Sequence, residues 1–361
     1  MKSILANQPQ SILSGVQRIV VLRPNAVGDF VFCLPALHAL RTAYPDAELI
    51  FIGKQWHADF LKGRPGPIDK VVVMPPCPGV GAPIESKVDD AQLQMFVDCM
   101  RAREFDLAVQ IYGGGRYSNP FIKRLEARLC IGMKAAEAEP LDRWIPFHYL
   151  QNMRLKMLEV TGLVGANVLR LGRELQVTAR DRLEAAHIIL AARSKPLVVI
   201  HPSATDVRRH WPAERFAAVA DIFADAGASI AINGNGVETA IVRQVIDNMR
   251  HPAINLVGHL SLSGLCGLLE QASLLVSNDS GPLHLALAIG TPCIGIYWLT
   301  NLYDSGPLMQ SNHRAALSVR VHCPVCGAEN LKHRCAHNVS FVDDVSTDEV
   351  IGLAFDLYQS H

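Results

Sequence analysis

Residues 274–297 read LLVSNDSGPLHLALAIGTPCIGIY: an apolar run, a polar Asn-Asp-Ser-Gly-Pro turn, a helical stretch closed by Gly290, and a second apolar run. Such a unit can hold an anion. Pro282 suits the start of a helix, where no N–H is needed, and Ser280 and Gly281 then leave free N–H groups at the positive end of the helix dipole. Asp279 and His284 flank the same spot, so a phosphate would meet a first-turn histidine without a P-loop lysine. An ordinary crossover whose turn only caps the helix is the competing reading.

Four further loops follow apolar runs. Ligands of open α/β sheets sit beyond the carboxyl ends of the strands, so these loops are where chemistry is sought. In the first, Arg23-Pro-Asn-Ala-Val-Gly-Asp29, Gly28 allows a tight turn and Asp29 falls at a helix start. A carboxylate there can take a proton from a substrate hydroxyl, or can simply cap the helix. In the second, Gly113-Gly-Gly-Arg116-Tyr-Ser-Asn119, the glycines permit close backbone approach and Arg116 can grip a carboxylate or phosphate. A mobile solvated loop is the alternative. The third carries Arg208 and Arg209 before His210-Trp211-Pro, read as a cationic lid for a polyphosphate or as a solvated charge pair. In the fourth, Asn233-Gly-Asn-Gly-Val-Glu238, Glu238 can bond ribose hydroxyls or stand as a surface carboxylate.

Residues 323–337 form a separate cluster, Cys-x2-Cys-x8-Cys-x-His, with His322 and His333 beside it. Cys323, Cys326, Cys335 and His337 supply three thiolates and an imidazole, a set that satisfies tetrahedral zinc, and glycine after the second cysteine suits a zinc knuckle. A redox-active pair or free surface thiols would also fit the spacing. A metal here reads as structural, far along the chain from the loops above and with no open coordination position.

The elements that must position these residues alternate strand and helix almost throughout, the pattern of parallel sheets covered on both faces. One series has strand candidates at 18–23, 48–52, 70–74 and 107–111; a second has them at 197–201, 229–233, 274–277 and 293–297. Glycines at 162, 165 and 172 interrupt the pattern between them, which places a hinge near residue 175. The 361 residues suffice for two domains. Lysine plus arginine equals aspartate plus glutamate at 34 each, so no global basic field argues for nucleic acid. No stretch approaches the ~20 apolar residues of a membrane span, and the start of the chain lacks a secretory run. A cytoplasmic protein is expected, with peripheral contact at the inner face of the cytoplasmic membrane compatible with it. Six isolated cysteines suit reduced thiols in that compartment.

Taken together, the segments resemble glycosyltransferase family 9, the lipopolysaccharide heptosyltransferase family, over nearly the whole chain from Arg18. The resemblance rests on R-x4-G-D-x5-P-A-L (Arg23, Gly28, Asp29, Pro35, Ala36, Leu37), the HPSA…RRHWP segment, the GNGVE turn and NDSGPLHLALAIGTP. It implies a GT-B fold: an α/β architecture of two Rossmann-like domains facing each other across a cleft, closure of which assembles the site. By resemblance Asp29 falls on the general base of an inverting transfer, and Arg209 on the usual lysine that neutralises donor phosphates. Glu238 falls on the ribose contact, and Asp279, Ser280, Gly281 and His284 on the donor diphosphate and sugar site. Arg116 and Asn119 are assigned to the acceptor.

The expected domains are a flexible tail at 1–17, an acceptor-side domain at 18–175, a donor domain at 176–345, and a C-terminal helix at 346–361 that can pack back on the N-terminal domain. The default donor is ADP-heptose and the default acceptor a lipopolysaccharide core saccharide or glycolipid at the inner membrane surface. Trp298-Leu-Thr300-Asn301-Leu departs from the family's usual Gly-Pro-Thr-Asp/Asn-Pro, and Pro24-Asn-Ala-Val from its serine-rich turn. A different donor sugar, a non-catalytic nucleotide- or carbohydrate-binding module, and a nicotinamide oxidoreductase are the alternatives, the last lacking its glycine fingerprint. No Asp-x-Asp motif lies near the loops, so catalysis needs no cofactor. Mg is not required, though it can assist phosphate binding.

Overall fold

The structure, a computed structural model, describes residues 11–148, 150–167, 171–192, 195–309, 311–331 and 333–358. The chain divides into two compact units, Met1–Leu171 and Gly172–His361. The division falls a few residues before the expected hinge, at Gly172, whose φ of 98° needs a residue without a Cβ. Of the expected flexible tail, the first ten residues lie outside the described ones. Beyond them Leu13 donates its N–H to the Tyr44 hydroxyl at 3.2 Å, so this stretch is tied to the first unit.

The first unit is built on six parallel strands: β1 (Arg18–Leu22), β2 (Glu48–Gly53), β3 (Lys70–Val73), β4 (Leu107–Gln110), β5 (Leu129–Lys134) and β6 (Arg143–Pro146). Their order across the sheet is β3-β2-β1-β4-β5-β6. Helices cover both faces of such a sheet, which is why β1 is an unbroken apolar run with Ile19, Val20, Val21 and Leu22 all buried. Val20, Leu22, Ile50 and Ile52 share one core with Val97, Phe121 and Leu125. On the alternate positions Phe51 meets Phe30 of the helix Val27–Ala43 edge to face at 5.8 Å.

The second unit repeats the plan with β7 (Leu197–His201), β8 (Ser229–Ile232), β9 (Ile254–Asn255), β10 (Leu274–Asn278), β11 (Cys293–Trp298) and β12 (His313–Ser318). All are parallel, in the order β9-β8-β7-β10-β11-β12. Val198, Ile200, Val276 and Ile296 pack against Trp211, Phe216 and Phe223. The helix Thr347–Tyr358 closes this same core with Val350, Ala354 and Leu357, and Phe355 stacks on Phe223 at 5.0 Å. Of the expected C-terminal helix, the described residues Thr347–Tyr358 belong to this core. Its apolar stripe is consumed by the second unit.

Two strand ends matter for the site. Asn278, the last residue of β10, accepts the Trp211 backbone N–H at 3.1 Å and donates its amide to the Pro202 carbonyl at 2.7 Å. One buried side chain thus fastens the loop after β7 to the turn after β10.

Candidate functional site

The fastened loop places Arg209 over Asp279. Val207–Arg209 is a single turn of 3-10 helix whose N-cap, Asp206, accepts the Arg208 N–H. Arg209 leaves this turn toward β10, where Nη1 donates to Asp279 Oδ2 at 2.9 Å and to the Asp279 carbonyl at 3.3 Å. His284 Nε2 meets the other carboxylate oxygen at 2.9 Å, and the Ser305 hydroxyl reaches it at 3.4 Å. Burial alone would push the Asp279 carboxyl up, but the His284 hydrogen bond and the charges of His284 and Arg209 outweigh it and hold the group below its usual value.

The helix Gly281–Ile289 begins beside this group, with Pro282 at its start and Gly290 at φ 99° as its left-handed cap. Ser280 is its N-cap in backbone terms only: its side chain caps nothing, and its hydroxyl lies 3.0 Å from that of Ser277. The N–H groups around Ser280 and Gly281, with an adjacent arginine, are groups that phosphate oxygens can accept from.

The expected site residues differ in what holds them. Asp279 and His284 are 1% and 3% exposed, and the Asp279 carboxylate is shared between Arg209 and His284. Arg208 and Arg209 do not form a joint lid. The Arg208 guanidinium is engaged by both Asp206 oxygens and lies over the Trp298 ring, while Arg209 bonds Asp279. Burial would raise Asp206, but the Arg208 hydrogen bonds prevail and bring its carboxyl down to about 2. Glu238 closes a capping box, its Oε2 accepting the Asn235 N–H at 2.8 Å. Its other oxygen carries no hydrogen bond among the described residues.

In the first unit Asp29 sits in the first turn of Val27–Ala43, with Gly28 inside that turn rather than in a left-handed bend. It is not the N-cap; Ala26 is, with no side-chain hydrogen bond. Arg23, itself buried, donates Nη2 to Asp29 Oδ1 at 2.8 Å and Nη1 to the Ile111 carbonyl. The carboxylate is therefore held in one orientation, and its side chain is 31% exposed. In the glycine loop Arg116 is exposed, its guanidinium 5.4 Å from the Tyr117 ring centroid. Asn119 is wholly buried and donates to the Met133 and Glu139 carbonyls at 3.1 and 2.7 Å. These bonds pin the loop. Arg23, Asn278, Asp206 and Ser305 are positioning residues the sequence reading assigned no role. For Arg23 and Asn278 the signal available was a polar residue at the end of an apolar strand, since such a group is buried only when its partners are at hand.

The fourth group is the cysteine cluster. Cys323, Cys326, Cys335 and His337 bring their ligand atoms within 4.8 Å of one another. Tetrahedral zinc with thiolates needs separations of about 3.8 Å, so a small contraction suffices. The Cys323 N–H donates to Ala328 O at 2.9 Å and the Gly327 N–H to Cys323 O at 2.8 Å, with Gly327 at φ 72° making the knuckle turn. The His337 backbone N–H, with help from Asn330, lowers the Cys335 thiol to about 6. The Ala328 N–H acts in the same direction on Cys326, but desolvation and the neighbouring thiols push it up on balance. A crowded thiol set of this kind fits a bound cation. Though far along the chain, the cluster's segment touches the arginine turn: Asn330 Oδ1 accepts from Arg208 Nη1 at 3.5 Å, one residue from Arg209.

The profile of glycosyltransferase family 9 (heptosyltransferase) matches residues 96–331. The chain belongs to this family. Lipooligosaccharide heptosyltransferase 2 of Haemophilus ducreyi is 22% identical over 81% of this chain and 86% of its own length. A family 9 glycosyltransferase from Veillonella parvula superimposes with a TM-score of 0.79 over 96% of this chain and 98% of that one, at 20% identity. An E. coli heptosyltransferase solved with ADP gives 0.63 over 84% and 93%, at 19% identity. The fold is GT-B and the protein is a glycosyltransferase. In this glycosyltransferase the matched stretch takes in Arg209, Glu238 and residues 279–284 and ends inside the knuckle; Asp29 lies outside it.

Two outcomes follow from the buried groups. Because the folded Asp279 carboxyl is depressed, its stabilisation is complete above the unfolded value of about 4 and is lost as pH falls through the folded one. Between about pH 5 and pH 3 the wild type should lose more stability than Asp279→Asn in denaturant titrations of the second unit; equal losses would show that the carboxylate is not held by its partners. The knuckle should carry about one equivalent of zinc in protein prepared without added metal, with Cys326→Ser depleted. Rapid alkylation of all three thiols in metal-free protein would instead identify free thiols, and a Cys323 to Cys326 or Cys335 disulfide a redox pair.

Proposed function

We propose that this glycosyltransferase is an inverting heptosyltransferase that takes its sugar from ADP-heptose and places it on a core saccharide of lipopolysaccharide. The observation that carries the reading is Arg209 held by buried Asp279 at the start of the Gly281–Ile289 helix. That arrangement offers a guanidinium and backbone N–H groups to a diphosphate. The ADP-bound relative and the heptosyltransferases among the matches support ADP and heptose as donor components.

In the transfer, Asp29 accepts the proton of the acceptor hydroxyl as its oxygen bonds to the anomeric carbon of the donor. The bond from that carbon to the diphosphate oxygen breaks, and ADP departs with the electron pair. Arg209 and the N–H groups at Ser280 and Gly281 neutralise the charge that develops on it. Arg23 keeps the Asp29 carboxylate aimed. The open oxygen of Glu238 is placed to bond the ribose, and exposed Arg116 to meet an anionic group of the acceptor. Mg is not needed for these steps. Among the described residues no helix is long and apolar enough to cross a membrane, and a glycolipid acceptor at the inner face of the cytoplasmic membrane would be met by peripheral contact.

A different donor sugar is the second reading, favoured by one feature. The segment after β11, where the family's usual sequence is replaced, forms a helix, Leu299–Ser305, whose Ser305 hydroxyl touches Asp279. Melting-temperature shifts with ADP, UDP, GDP and NAD, followed by a donor screen read as nucleotide release, separate the two and also test the binding-module and oxidoreductase alternatives.

Asp29→Asn should leave ADP affinity close to wild type while lowering kcat by at least about 100-fold, because it removes a base and keeps the shape. Near-normal turnover with the true donor and acceptor would remove Asp29 from the mechanism. Arg209→Ala should weaken ADP binding in calorimetry by about 1.5 to 3 kcal/mol, the range for hydrogen bonds to charged groups. Unchanged affinity would move the phosphate seat elsewhere.

A further inference from the structure

The knuckle is fastened to the turn that carries Arg209 from several directions. Asp206, which caps that turn, accepts the Arg208 backbone N–H at 3.1 Å and the Arg208 Nε at 3.1 and 3.0 Å. Arg334, the neighbour of Cys335, approaches the same carboxylate at 3.7 Å. Asn330 Oδ1 accepts from the Cys335 N–H at 3.2 Å as well as from Arg208 Nη1, while its Nδ2 donates to Cys335 Sγ at 3.5 Å and to Ala328 O at 2.9 Å. Beyond His337 the chain returns to the turn: the Phe341 N–H donates to Arg208 O at 2.7 Å, and the Ser340 hydroxyl to His210 O at 2.7 Å.

Arg208 and Arg209 thus leave one short helical turn on opposite errands. The first is locked into the knuckle side and the second reaches Asp279. A three-residue 3-10 turn has little stiffness of its own, so its orientation comes from what holds its ends. Here the holding groups are Asp206, Asn330, Arg334 and the 340–341 backbone, all but Asp206 supplied by the segment that carries two of the four candidate metal ligands.

We propose that the three-cysteine, one-histidine knuckle is a positioning element for the donor site: by fixing Asp206 and Arg208 it sets the direction of Arg209, and nucleoside diphosphate affinity depends on its being intact. The inference rests on the reading of Arg209 as the diphosphate contact. Asp206 and Asn330 act through Arg209 and touch no substrate.

Asp206 gives a test that charge and positioning answer with opposite signs. Removing a carboxylate near a phosphate seat would, by charge alone, tighten ADP binding. If Asp206 positions the turn, Asp206→Ala weakens it by about tenfold, and Asp206→Asn, which keeps an acceptor for the Arg208 N–H, recovers most of the loss. The measurement is ADP calorimetry on the full chain with its zinc content determined in parallel. Asn330→Ala, and wild type stripped by a chelator, should weaken ADP in the same direction. Native-state hydrogen exchange of β7 and β10 guards against simple unfolding. Unchanged or tighter ADP binding in both Asp206→Ala and Asn330→Ala, while Arg209→Ala remains defective, overturns the positioning role and leaves the diphosphate reading standing. Normal ADP affinity in Arg209→Ala takes down that reading itself.

Discussion

A carboxylate removed from water has to be met by charge and hydrogen bonds, and Asp279 imposes that requirement on everything around it. It stands just beyond β10, where the sheet core ends and the helix Gly281–Ile289 begins, and it is almost wholly enclosed. Arg209 must come from the loop after β7, His284 from the first turn of the following helix, and Ser305 from the helix after β11. Three separate connections converge because one anion is buried. The cationic group exposed to a ligand is therefore placed by the interior of the unit rather than by the flexibility of its own loop.

The first unit uses the same device with the signs exchanged. There the buried charge is Arg23 and the partly exposed one is Asp29. In each unit a hidden ion holds a more exposed ion of opposite charge, and the exposed one is the group to which the proposed function gives a chemical role. An acid held by a cation suits proton acceptance; a cation held by an acid suits a departing anion. Pre-organisation of this kind removes the need to order long side chains at the moment of binding.

The sequence made the strands nearest the site readable because parallel strands covered on both faces are unbroken apolar runs, as in β1, β7 and β10. The outer strands carry weaker signals. β5 contains Gly132, where a Cβ would come within 2.6 Å of the Gln110 carbonyl; β6 ends in a proline; β9 is two residues long. Asp29, Arg209, Ser280 and Gly281 were legible as loop residues at strand ends. What spacing does not encode is depth. It gives no means of telling Arg208 from Arg209, because a single 3-10 turn gives the two neighbours different partners, and none of learning that Asp279, His284 and Asn119 lie under the surface. Nor does a one-dimensional count show that Asn330, more than a hundred positions downstream, touches Arg208.

The closure of the second core by Thr347–Tyr358 sets an order of events during synthesis. The first unit is complete by Leu171, with its helix Met153–Gly162 following β6, so that unit is able to fold while the rest of the chain is still being made. The second cannot finish its apolar interior until Val350, Ala354 and Leu357 arrive, long after β7. In that interval Phe223 and its neighbours lack their final cover, and the nascent second half is exposed to aggregation and chaperone capture in a way the first half is not. Truncating the chain before this helix would accordingly be felt first as poor yield of soluble protein, ahead of any loss at the phosphate seat.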